Sequence, residues 1–117
     1  MNYILLIGEI TDDPQNLSMR KTDEGSFVTS FYLTVKRKNS QNYDKFKVIA
    51  WNECAKFCTT NLTNGMKVKV EGEAKSFRRD VKNIKSVEYT DGRTSDVLNI
   101  PVFEVWAKRV EPLEENA

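Results

Sequence analysis

Histidine is missing from this chain. Its absence excludes histidine acid–base catalysis, a Ser-His triad and any histidine-ligated metal. Cysteine occurs only as Cys54 and Cys58. Zinc needs four ligands at suitable spacing and no second pair exists, while a disulfide between positions i and i+4 of one helix face is strained. The pair is read as free thiols of a reducing compartment. No Walker-type glycine loop is present, and the acids are scattered along predicted strands and turns. A nuclease working through carboxylates alone is the remaining enzymatic reading. The expectation is a protein that is not an enzyme, with no cofactor, no metal and no small-molecule substrate. The opening MNYILLIGEI is too short and too soon charged for a signal peptide or membrane span. No membrane partner is expected, and the cytoplasm of a bacterial cell or phage-infected host is the expected location.

What is present suits one domain. A chain of 117 residues buries roughly two-thirds of the surface it exposes when unfolded, enough for a core without disulfides. The net charge of +1 hides a gradient: Lys36 to Lys85 holds thirteen Lys or Arg against five acids, leaving the flanks together at −7. A middle this basic suits a polyanion.

Taken in order, Tyr3 to Ile10 is an apolar strand interrupted by Gly8. Its consecutive Ile4 to Ile7 suggest cover on both faces, and its glycine a bend or close backbone approach. Asp12-Asp13-Pro14 ends it. Gln15 to Gly25 is polar, with a hairpin tip at Asp23-Glu24-Gly25. Phe27 to Lys36 alternates: Phe31, Leu33 and Val35 face the core, and Tyr32 faces outward. A basic loop, KRKNSQN, follows. Tyr43 to Trp51 alternates again, with Phe46, Val48 and Ala50 inward and Tyr43, Lys45, Lys47, Ile49 and Trp51 outward. Asn52 is the predicted N-cap of a helix carrying Ala55, Cys58 and Leu62 at helical spacing and stopped by Asn64-Gly65. Met66 to Ala74 alternates with its lysines and glutamates outward, and Phe77 and Arg79 continue that parity. Asp80 to Asn99 reads as a twisted hairpin arm or a mobile segment, with a turn at Asp91-Gly92. A last strand, Val102 to Val110, carries Trp106, assigned to the core or a subunit interface. The domain is placed at residues 1–110 and a short, disordered acidic tail at 111–117. Five strands with one helix between the third and fourth is the plan of an all-β OB-fold, a five-stranded Greek-key β-barrel.

The residues also resemble a known family. NYILLIGEITDDP, Gly25-x-x-Val28-x-x-Phe31-x-Leu33, Trp51-x-x-x-Ala55, Leu62-x-x-Gly65 and Val68-x-Val70-Glu71-Gly72 occur in the order and spacing of the bacterial and phage single-stranded DNA-binding proteins. The resemblance covers residues 2–74. It implies an OB-fold that binds single-stranded DNA by stacking and phosphate contacts, as a homodimer or homotetramer, in replication, recombination or transfer. Trp51 matches a family position with a base-stacking aromatic. The family's other stacking places are altered, with Lys45 and Phe46 at one and Lys36-Arg37-Lys38 at another. The chain stops at Glu114-Glu115-Asn116-Ala117 without the family's Phe-terminated acidic tip, and the expected source is a phage, plasmid or other mobile element.

A binder indifferent to base sequence needs flat side chains for bases and cations for phosphates. The candidate residues are Trp51, Tyr43, Lys45 and Lys47, extended by Tyr32 and Phe77, with Lys36, Arg37, Lys38, Arg78 and Arg79 along the backbone path. Competing readings are a primosome-type OB accessory module that binds chiefly protein, and an RNA-binding OB module.

Overall fold

The computed structural model describes residues 1–11, 19–88 and 94–113, with only the backbone described within 79–101. The elements are β1 (Ile4–Thr11), β2 (Arg20–Lys21), β3 (Phe27–Lys36), β4 (Tyr43–Trp51), α1 (Asn52–Asn61), β5 (Lys67–Glu88) and β6 (Thr94–Pro112). β3 and β4 coincide with the strands predicted from alternation. The sheet runs β1-β5-β6-β4-β3-β2, and β1 also pairs with β3, so five strands close on themselves. β4 and β6 are parallel neighbours; the other pairs are antiparallel. The sixth strand, β2, is a two-residue partner of β3 inside the stretch read as turn. Its hairpin tip does fall at Asp23-Glu24-Gly25, with Gly25 at φ 87° donating its N–H to the Thr22 carbonyl.

Closure depends on two glycines in strands. β1 leaves β5 for β3 at Glu9, which pairs with both. Beside that crossing a Cβ on Gly8 would lie 2.5 Å from the Thr34 carbonyl oxygen, so the predicted close approach is real. Gly72 sits at a register shift between β5 and β6. There a Cβ would overlap the Trp106 carbonyl and Ala107 Cα.

Inward alternation builds the core. Ile10, Phe31, Leu33, Val48, Val68, Val70 and Val105 are fully buried. Val35, predicted for the core, is only half-buried, because it lies near the β3–β4 hairpin where the barrel opens. β1 departs further from expectation. Leu5 and Ile7 are 48% and 50% exposed; alternate residues of a strand face opposite ways, and only one face of β1 meets the core.

α1 packs Ala55 and Cys58 into the core, joined by Leu62 just past its end, and contacts β3, β4 and β6. Its ends differ from the sequence reading. The N-cap position is Trp51, without a side-chain cap bond. Asn52 takes φ 52° and its Oδ1 accepts a hydrogen bond from the Phe27 N–H at 3.2 Å, because tying the helix start to β3 takes the side chain that would have capped it. The helix ends at Leu62, which is extended. Gly65 is left-handed at φ 89° but belongs to the next turn, donating its N–H to the Ile10 carbonyl at 2.7 Å.

The described backbone of 80–88 and 94–99 is paired as the hairpin-arm reading expects. Asp80 pairs with Asn99, Lys82 with Val97 and Glu88 with Thr94, an arm of two strands. The Asp91-Gly92 turn, the Asp12-Asp13-Pro14 strand end and residues 114–117 lie outside the described residues. β6 runs on through Pro112, and the Leu113 N–H donates to the Lys67 carbonyl at 2.9 Å. Glu111 and Pro112, expected in a disordered tail, therefore belong to the ladder, and Leu113 is bonded just past its end.

Candidate functional site

Tyr32, Tyr43, Lys45, Lys47, Trp51 and Phe77 share the outward parity of the barrel wall, and strand register decides which of them meet. On β3 and β4 the facing pairs are Lys36–Tyr43, Thr34–Lys45, Tyr32–Lys47 and Val28–Trp51. Tyr43 and Trp51 stand at opposite ends of β4, about 27 Å apart along an extended strand. The predicted residues thus form a strip with two ends.

At the hairpin end Tyr43 is 59% exposed. The Lys45 ammonium lies 4.8 Å from the centroid of the Tyr32 ring, a cation–π contact. Lys36 and Lys38 make no ion pair among the described residues, but Arg37 is committed. Its guanidinium donates to Asp44 Oδ1 at 2.9 and 2.7 Å. That bond holds the Asp44 carboxyl below the ordinary range and Arg37 above its own.

At the other end Trp51 is half-buried against Trp106, ring centroids 5.5 Å apart and planes tilted by 54°. The Trp51 Nε1 is buried without a hydrogen-bond partner. Trp106 is 37% exposed and shares this outer face, which corrects its assignment to the core. β6 lies parallel to β4 with Trp106 beside Ile49, and antiparallel to β5 with Trp106 facing Glu73. The signal was legible: Trp106 has the parity of Glu104 and Lys108, while Val105 and Ala107 point inward and are buried.

Charges surround the indole pair. Lys75 lies 5.1 Å over the Trp106 ring. Lys47 reaches Glu104 at 3.6 Å, and Glu104 Oε1 accepts from Trp106 Nε1 at 3.4 Å. Glu73 accepts from Lys108 at 2.8 Å and Lys75 at 3.1 Å, and Lys108 and Lys75 hold its carboxyl below the ordinary range. Phe77 (40% exposed) and exposed Arg78 stand further along β5, opposite Val102 and Pro101, at the root of the arm. The Arg79 side chain lies outside the described residues. Sequence reasoning therefore missed Trp106, Lys75, Glu73 and Glu104, which come together only through the β4–β6 and β5–β6 pairings.

Two further features stand apart from the strip. A cavity of about 430 Å³ between α1 and the end of β6 is lined by Glu53, Cys54, Phe57 and residues 108–111. Cys58 is fully buried, and its hydrogen bond with Cys54 and its burial push its thiol well above the ordinary range. Among the described residues no three His, Cys, Asp or Glu gather as a metal site, and no helix is long and apolar enough to cross a membrane.

A surface with two adjoining indoles at one end and a lysine hairpin at the other has the ingredients for unpaired nucleic acid. Comparison with known proteins agrees. The profile of the single-strand binding protein family matches residues 1–96. A single-stranded DNA-binding protein of Thermotoga maritima is 38% identical over 84 residues, which are 66% of this chain and 57% of that protein. The chain thus matches little more than half the length of that relative. Among solved structures, a deletion mutant of the single-stranded DNA binding protein from Thermus aquaticus superposes with a TM-score of 0.67 at 24% identity, over 100% of this chain and 43% of that one. The latter likeness speaks for the fold, an OB-fold closed by β1 and β3. On the match over residues 1–96, the chain belongs to the single-strand binding protein family.

Proposed function

We propose that this protein binds single-stranded DNA without regard to base sequence, in replication, recombination or transfer, and that it is a binding protein rather than an enzyme. The observation that carries the reading is the pair of half-buried Trp51 and exposed Trp106 at one end of a face whose other end is the Lys36–Lys38 hairpin. Bases stack on the indoles, on Tyr43 and on Phe77; phosphates meet Lys36, Lys38 and Arg78. The relatives named above are bacterial, and a bacterial cytoplasm is the proposed setting. A mobile-element origin gains no support from them.

Titration of tryptophan fluorescence with poly(dT) at two salt concentrations tests this. Binding should quench the emission. If about three cations per protomer meet phosphates, log affinity falls with log salt at a slope of about −2, at 0.7 per phosphate. A slope near zero removes phosphates from the reading, and absent quenching removes the stacking platform.

Self-association is part of the proposal. Among the described residues, β1 pairs with β5 alone from Ile4 to Gly8. Tyr3, Leu5 and Ile7 are 65%, 48% and 50% exposed. An apolar stripe on a half-open strand edge suits a second copy of the chain. Leu5→Glu with Ile7→Glu should halve the solution mass measured by light scattering; an unchanged mass places the contact elsewhere.

A further inference from the structure

The ground around Trp106 is unusual for a surface that meets a polyanion. Register sets Glu73 opposite Trp106 and Lys75 opposite Glu104 on the outer face, so acids and lysines interleave. Glu73 holds Lys108 and Lys75. Glu104, only 7% exposed, holds Lys47 and the Trp106 indole. Each of these three lysines beside the indole pair already has a carboxylate. At the far end of the strip Lys36 and Lys38 have none among the described residues.

We propose that Glu73 and Glu104 are specificity-determining residues: they occupy the lysines around the indoles, so that this end of the strip accepts unstacked bases and rejects duplex DNA. The inference rests on the single-strand reading above. A base laid on Trp106 puts an uncharged ring over the lysines and leaves its phosphates at the rim, where the ion pairs survive. A duplex keeps its bases stacked and offers phosphates. To settle here it must strip lysines from their carboxylates or set phosphates against two acids, a like-charge contact that penalises the wrong partner.

The test measures affinity of the wild type, Glu73→Gln and the double variant Glu73→Gln/Glu104→Gln for poly(dT) and for blunt duplex DNA at several salt concentrations, with thermal melting of each protein. In the double variant duplex affinity should rise about tenfold. Its salt slope should steepen by about 2.7, for three freed cations at 0.9 each. Poly(dT) affinity should move less, so the preference for poly(dT) falls. Glu73→Gln leaves buried Glu104 in place, which protects the fold, and should move the preference the same way with a slope change of about 1.8, for Lys75 and Lys108. An unchanged preference in folded Glu73→Gln overturns the inference and leaves single-strand binding intact. A wild type that ignores poly(dT) overturns both.

Discussion

Replacing both Trp51 and Trp106 with alanine should cost about 2–6 kcal/mol of single-strand affinity, on the order of 1–3 kcal/mol for each base–aromatic stack. The sum assumes independent rings, and rings 5.5 Å apart are close enough to couple. The single variants therefore matter as much as the double one. Trp106→Ala should leave Trp51 without its neighbour and lower its quenching as well as its affinity. Trp51→Phe and Trp106→Phe separate stacking from packing, since a phenyl ring still offers a π face. They should retain most of the affinity that alanine loses. Equal losses for Phe and Ala would assign the indoles to structure and move the stacking site to Tyr43 and Phe77.

Gly72→Ala should destabilise the fold by about 3 kcal/mol or more, at the upper end of overpacking penalties. The added methyl meets backbone, the Trp106 carbonyl and Ala107 Cα, and backbone in a ladder cannot rotate aside. β5 and β6 must part at the register shift that lets the sheet curl. A loss of that size lowers the midpoint of thermal unfolding by more than about 10 °C in a domain near 100 residues, which calorimetry reads directly. Gly25→Ala is the useful contrast. Nothing lies within 4 Å of its Cβ, but φ is 87°, so only the left-handed backbone is penalised, by about 1–2 kcal/mol. Comparable losses at both glycines would mean that the β5–β6 crossing tolerates a side chain. Because Trp106 supplies the obstructing carbonyl, Gly72→Ala should also weaken DNA binding, linking barrel closure to the stacking surface.

Much of this molecule follows from alternation. Phe27–Lys36 and Tyr43–Trp51 read as strands with the ends they have, because β-branched and aromatic residues at period two suit a half-buried sheet. The inward parity of Val48, Ala50, Val68 and Val70 was legible for the same reason, and each is buried. Local signals near element ends were less dependable. Asn52 and Gly65 have the side chains of helix caps, yet one binds Phe27 and the other turns the chain toward Ile10. The apolar run Ile4–Ile7 looked covered on both faces because sequence cannot say how many faces a neighbour will reach.

The sequence by itself determined the outward parity of Tyr43, Lys45, Lys47 and Trp51, the basic hairpin and the family. These depend on neighbours in one strand or on short-range order. The site's composition was decided by the tertiary structure. The parallel pairing of β4 with β6 brings Trp106 beside Trp51 from 55 residues away. The antiparallel pairing of β5 with β6 sets Glu73 and Lys75 against it. Alternation says which side of its own strand a residue occupies. Only the register between distant strands says which residues share that side at contact distance, and here that register turned a predicted row of aromatics and lysines into an indole pair ringed by ion pairs.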